Sequence, residues 1–223
     1  MDVYERKGGR QVDADEVPTS VEAILDAAER RFAELGFAGA GMKSIATAAG
    51  VAQGLLYYHF GSKEELYRAV VCRRSGAINA ERRARMATAD IGAPDALEQI
   101  LRAYLGPPLS GDSVGLGYPR IFASLVAGTA LDQQLVSEFY DEIAREVIAL
   151  IRKAEPALDA EAAAWGYSLS IGALVSALSS SERVTRLGCE EGGDGAPAGG
   201  TDAALENIVT FAAEGFRALA RRT

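Results

Sequence analysis

The chain has 223 residues, 48% of them hydrophobic, which is enough apolar material for a sizeable core in one large domain or two modest ones. Its two cysteines, Cys72 and Cys189, and single histidine, His59, exclude a disulfide framework and a Cys/His metal cluster, and they fit a reduced cytoplasm. A net charge of −8 argues at first against a nucleic-acid partner, but residues 1–75 carry 10 Lys/Arg against 11 Asp/Glu while residues 76–223 carry 13 against 20, so −7 of the −8 lies in the second part. DNA binding by the first part would then rest on a local basic face, not on a basic domain.

Residues 1–18 are polar and are expected to form a flexible arm. Arg6, Lys7 and Arg10 in that arm can reach a minor groove or phosphates, though a solvated tail is the plainer reading. The opening MDVYERKGGRQVDADEVP has no apolar stretch of the kind a signal peptide needs, and no run approaches the roughly 18 apolar residues of a membrane span, so a soluble cytoplasmic protein with no membrane partner is expected.

Thr19 or Ser20 can cap a first helix, along which Ile24, Leu25, Ala28, Phe32 and Leu35 recur at helical spacing until Gly36 stops it. Short helices are expected at about 42–49 and 53–60, separated by a turn at Gly50. Gly61 ends the second of them. Ser62, with Glu65 three residues on, forms a capping box that opens a long helix from 63 to about 88. Further helices are expected at about 95–105, 118–126, 131–154, 159–187 and 202–221, separated by glycine-rich loops at 106–117 and 188–201. Few prolines, abundant alanine and no strand-like alternation make this an all-α chain of about nine helices.

Residues 43–60 carry the chemistry. Ile45, Ala46, Ala49, Val51, Leu56 and Phe60 are the inward positions, and the small Ala46 and Ala49 let a second helix cross close by. Gly50 permits the left-handed backbone of a tight interhelical turn. With Leu56 and Phe60 turned inward, Gln53, Gly54, Leu55, Tyr57 and Tyr58 face largely outward, as side chains of a helix in a major groove do. Gln53 can offer adenine a paired donor and acceptor, Gly54 permits close approach, and Leu55 can meet thymine methyls. Tyr57 and Tyr58 can donate to phosphate oxygens, and Lys43 belongs to the same DNA-binding set. Lys63, in the first turn of the next helix, is expected to hold a phosphate together with free backbone N–H groups.

The segments I24-L-D-A-A, F32-A-E-L-G-F, I45-A-T-A-A-G-V, Q53-G-L-L-Y-Y-H-F and S62-K-E-E-L, in that order and register across residues 19–72, resemble the tetracycline-repressor (TetR) family of bacterial transcriptional regulators. The resemblance implies an N-terminal three-helix helix-turn-helix DNA-binding domain and a C-terminal helical ligand-binding and dimerisation domain. It also implies a homodimer on a palindromic double-stranded DNA operator, released when a small-molecule effector enters the larger domain. The expected division is an arm at 1–18, a DNA-binding domain at 19–65 and an effector and dimer domain at 66–223. Three positions depart from the family pattern: Ala40-Gly41 where a threonine commonly caps the second helix, Ala52 where the recognition helix usually opens on Ser or Thr, and Leu55 in place of a common threonine.

Other clusters have plainer readings. His59 can support the helix end, meet a phosphate or read a base, and the family often has histidine there. The lone histidine and the absence of a nucleophile-elbow sequence leave no hydrolytic triad, no enzyme and no cofactor to expect. Cys72 is expected to be a buried structural thiol, and Arg73–Arg74 and Arg82, Arg83 and Arg85 to form a solvated face. The ligand cavity is placed among the helices bearing Tyr104, Phe122, Trp165 and Leu169, where Arg120 can counter an acidic ligand or make an ordinary salt bridge. The dimer face is placed on Leu205, Ile208, Val209, Ala212, Phe216 and Leu219 of the last helix, with Trp165, Leu169, Gly172, Ser176 and Ser179 on the helix before it. The function expected is a ligand-released repressor. The alternatives are an activator of the same fold and a helical protein-interaction module without ligand control.

Overall fold

The computed structural model describes residues 20–109, 117–188 and 201–222, apart from the side chains at 179–182 and 185. The N-terminal arm, most of both glycine-rich loops, Cys189 and the Ser179 side chain lie outside the described residues. Within them every regular element is helical: α1 (Ser20–Gly39), α2 (Met42–Ala49), α3 (Gln53–Phe60), α4 (Lys63–Met86), α5 (Ala96–Leu105), a 3-10 turn (Pro107–Leu109), α6 (Tyr118–Ala127), α7 (Ala130–Ala154), α8 (Ala160–Gly188) and α9 (Thr201–Ala220). None of these helices is long and apolar enough to cross a membrane.

Most ends fall where local chemistry sets them. Gly36 breaks α1 as expected, with φ 67° and ψ 172°, but a further turn runs on to Gly39. The N–H of Ala40 closes that turn onto the Gly36 carbonyl at 3.1 Å. Ser62 caps α4 by accepting the Glu65 N–H at 3.1 Å, while its own N–H bonds the Phe60 carbonyl in place of the Glu65 side chain, so only one half of the expected box is made. A complete capping box opens α7, where Thr129 and Asp132 bond reciprocally.

The core is continuous from one end of the molecule to the other. Ile24, Ala28, Phe32, Ile45, Leu56 and Leu66 fill the space enclosed by α1, α2, α3 and the start of α4. Ile78, Ile100, Leu101, Ile143 and Val147 fill the space around the second half of α4, between α5 and α7. Helix α4 therefore contributes to both groups and runs through the expected boundary at 65/66. Helices α8 and α9 pair, and α9 also packs on α5. The aromatic ring of Phe216 lies directly against Gly166, where a Cβ would leave no room for it. Ion pairs fix the register of these helices, with Arg83–Glu146 at 2.7 Å joining α4 to α7 and Arg102–Glu206 and Arg217–Glu98 at 2.8 and 2.6 Å joining α5 to α9. Each such surface pair adds at most about 1 kcal/mol, so they select the packing more than they drive it.

Candidate nucleic-acid interface and effector core

The turn between α2 and α3 is built on Gly50, whose φ of 68° and ψ of 27° lie in the left-handed region. Next to it, the Val51 N–H reaches back to the Ala46 carbonyl at 3.1 Å. Ile45, Ala46 and Leu56 are buried beneath the two helices, and Ala49, Val51 and Phe60 are half-buried at the margin. That frame fixes which face of α3 is free. Gln53, Gly54, Tyr57, Tyr58 and His59 are exposed, and Tyr58, at 82%, stands almost wholly clear. Lys43 is exposed in the first turn of α2. Leu55 departs from expectation, since it packs partly against the core and offers less surface outward. Neither Gly41 nor Ala52 supplies a side-chain cap, so the first N–H groups of α2 and α3 keep the polarity that favours anions.

Lys63 corrects the sequence expectation. Its ammonium donates to the carbonyls of Phe37, Ala40 and Ala38 at 2.7, 3.1 and 3.4 Å and sits 4.5 Å from the centre of the Phe37 ring. These carbonyls close the end of α1, so the charge ties the α1–α2 corner to the start of α4. A phosphate would have to compete with three carbonyl oxygens for it.

Two links between α4 and the DNA-facing helices escaped the sequence reading. Glu29 is fully buried and accepts from Arg73 and Arg74, each at 2.8 Å, while Arg73 also donates to Asp26 at 2.8 Å. The two arginines are thus committed to carboxylates of α1 and do not form a solvated face. Tyr67 packs edge-on to Phe32 at 4.9 Å and against Phe37 at 5.2 Å, and its hydroxyl donates to Asp132 at 3.1 Å. Asp132 is the acid of the α7 capping box, so one ring joins the α1 aromatic cluster to the start of α7. Its phenol is held well above the usual range by burial and by the Asp132 charge. Cys72, expected inside, is exposed.

Of the residues assigned to the ligand cavity in the larger helical part, Tyr104 and Phe122 are buried. Trp165 and Leu169 are not: each is 58% exposed, on the face of α8 that points away from the core. Arg120 is exposed too. The interior is instead polar around Arg82, which is 1% exposed although the sequence placed it on a solvated face. Its Nε donates to the Tyr104 carbonyl at 2.8 Å and its Nη1 to Asn79 Oδ1 at 3.1 Å, while Asn79 Nδ2 donates to the Phe139 carbonyl at 2.8 Å. Tyr104 pairs with Ser170, and Tyr118 with Tyr140, hydroxyl to hydroxyl. Burial pushes the Tyr140 phenol up to about 12, and Tyr104, Tyr118 and Tyr167 also upward, so all four are neutral hydrogen-bonding groups at neutral pH.

The expected dimer face needs a similar correction. Ile208, Val209, Ala212 and Phe216 are buried within their own chain, and Leu205 and Leu219 are half-buried, because this stripe packs on α8 and α5. The described residues of α8 assigned to that face are the ones left free, together with Phe211 of α9. Leu169 and Phe211 are exposed at a groove between α8 and α9, and Trp165, Gly172 and Ser176 are exposed elsewhere on α8.

Known proteins share this arrangement. Residues 24–70 match the model for bacterial regulatory proteins of the tetR family, and residues 80–215 match the tetracyclin repressor-like C-terminal domain. The chain is 35% identical over 98 residues to the HTH-type transcriptional repressor AcnR of Corynebacterium glutamicum, spanning 44% of this chain and 47% of that protein. It is 43% identical over 68 residues to the HTH-type transcriptional activator FasR of Mycolicibacterium smegmatis, spanning 30% and 31%. The matches thus cover less than half the length of either relative. Among solved structures, a TetR-like transcriptional regulator from Rhodococcus sp. RHA1 superposes with a TM-score of 0.59 at 22% identity, covering 91% of this chain and 99% of the other. The transcriptional regulator FadR from Bacillus subtilis, solved with stearoyl-CoA, superposes with a TM-score of 0.64 at 14% identity, covering 86% and 97%. At such identities these two likenesses speak for the fold alone.

Proposed function

The chain belongs to the TetR family of bacterial regulatory proteins, and from that premise we propose a cytoplasmic homodimeric repressor whose hold on a palindromic DNA operator is released by a small-molecule effector. The observation that carries this reading is the free face of α3, where Gln53, Gly54, Tyr57, Tyr58 and His59 are exposed on a buried frame with Lys43 nearby. Gln53 reads a base edge, while Tyr57, Tyr58 and Lys43 grip phosphates. Residues 19–65 form the reading head and residues 66–223 the effector and dimer part, with α4 shared between them.

A second copy covers the exposed apolar face of α8 and α9. Trp165, Leu169 and Phe211 would otherwise leave three large side chains in water on one surface. Pairing two helices from each protomer gives a four-helix interface and sets the spacing between the two recognition helices. Sedimentation at micromolar concentration should show a dimer and, for Phe211→Arg, a monomer. Monomers in both samples would refute the pairing.

The effector acts by shifting populations. Movement of α4 or α7 reaches the reading head through Tyr67 and the Glu29 clamp, so a ligand that favours one helix arrangement changes the fit to successive major grooves. A genome-wide binding selection, repeated with candidate metabolites, tests both steps. It should recover a two-fold symmetric site that Tyr57→Ala no longer binds and that one metabolite releases. Recovery of no preferred sequence would overturn the operator reading. The likeness to the activator FasR favours a second reading in which the bound protein raises transcription, and a reporter carrying the selected site decides the sign.

A further inference from the structure

The polar stripe on α4 has no counterpart elsewhere in the molecule's interior as described. Ser75, Asn79 and Arg82 lie on one face of the helix and are all buried. Arg82 is the largest of the fully buried side chains, and among the described residues its guanidinium makes no ion pair. Its Nη2 is buried and has no hydrogen-bond partner among the described residues. A desolvated charge of this kind is costly unless an anion faces it.

The hydroxyls around it also leave a donor over. Ser170 donates to the Tyr167 carbonyl at 2.6 Å, so in the Tyr104–Ser170 pair the phenol is the donor and is satisfied. In the Tyr118–Tyr140 pair one hydroxyl donates to the other, and the hydrogen of the second has no acceptor among the described residues. Arg82 bonds the Tyr104 carbonyl and, through Asn79, the carbonyl of Phe139 next to Tyr140, so a chain of hydrogen bonds brings the guanidinium to the backbone that carries these tyrosines. Among the described residues the core therefore holds a cation and a phenol with hydrogens to give and no acceptor to receive them.

We propose that this core is an oxyanion receptor, in which Arg82 Nη2 and the spare hydroxyl of the Tyr118–Tyr140 pair bind the carboxylate of a small organic acid. The inference rests on the effector reading above and specifies the chemistry of the ligand. A carboxylate accepts charge-assisted bonds from the guanidinium and a further bond from a neutral phenol, while the rings of Phe122 and the tyrosines border its apolar part. Because Arg82 is almost wholly buried, an acid reaches it only by displacing neighbours on α5, α6 or α7, and that displacement is the motion the reading head needs.

The test uses the full-length protein with a fixed panel: straight-chain monocarboxylates of two to twelve carbons, the corresponding primary amides, citrate, and inorganic phosphate, all at constant ionic strength. Thermal melting should rise saturably with at least one carboxylate, while its amide leaves the midpoint unchanged. In Arg82→Lys and Tyr140→Phe, the latter keeping the ring should the former not fold, the apparent Kd should weaken about tenfold or more. A response to phosphate alone would identify the anion as inorganic and contradict the organic-acid assignment. No response to any anion, equal response to acid and amide, or full response in both variants would overturn the receptor. Operator release is read separately on the same samples. Arg82-dependent binding without release would remove the effector reading and leave the receptor standing, whereas release by an amide alone would do the reverse.

Discussion

Lys43 on α2 and Lys63 at the start of α4 are both cations of the reading head, yet their surroundings assign them different work. Lys43 is exposed at the opening of α2, whereas the Lys63 ammonium is committed to carbonyls at the end of α1. A cation that neutralises a phosphate releases counterions, so removing it lowers the salt dependence of binding by about one unit of slope. A cation that braces a corner changes stability instead. Lys43→Ala should therefore flatten the logarithmic salt plot of operator affinity with an unchanged melting midpoint. Lys63→Ala should lower the midpoint and weaken affinity at every salt concentration, with the slope preserved. The opposite pattern would return Lys63 to the phosphate backbone.

At the level of elements, α2, α3 and the turn between them were legible in the sequence because each position obeys local rules. Helical spacing selects Ile45, Ala46 and Leu56, and Gly50 marks the turn. The faces of α4, α8 and α9 were less legible because a partner decides them. On α9 the stripe at Ile208, Val209, Ala212 and Phe216 is real, but periodicity cannot say whether its partner is in the same chain, and here it is. Trp165 and Leu169 were assigned both to the cavity and to the dimer face, and because α9 leaves their side of α8 uncovered they stand outside the core. Charged residues on apolar stripes were the signal overlooked. Glu29 follows Leu25 at one helical turn, and Arg82 follows Ile78, so their spacing already pointed them inward. The Glu29 clamp yields a direct prediction: Glu29→Gln removes a fully buried carboxylate from two half-buried guanidinium groups and should cost about 3 kcal/mol, measured by denaturant unfolding. A loss below about 0.5 kcal/mol would mean that the clamp is replaceable by neutral hydrogen bonds.

For the whole molecule, the continuous core makes α4 common property, so the reading head and the effector part should respond together. The buried tyrosines supply one test of that unity. The phenol of Tyr140 is pushed up to about 12, and Tyr104 and Tyr118 are raised as well, while an unfolded tyrosine titrates near about 10. Between those values the unfolded chain gives up protons that the folded chain keeps. Stability is then fully present below about pH 10 and falls as pH rises, by up to about 1.4 kcal/mol per pH unit for each such tyrosine. Circular dichroism melts from pH 8 to 12 should show one cooperative loss over both parts, and a flat profile would place the phenols in water. The central claim, that the α3 face of a dimer holds DNA, is tested most directly by fluorescence-anisotropy titration of the selected operator. Two chains should bind per operator, with affinity falling steeply with salt and binding lost in a Gln53→Ala, Tyr57→Ala double variant that keeps its melting midpoint. Undiminished binding by that variant, or saturation at one chain per operator, would contradict it.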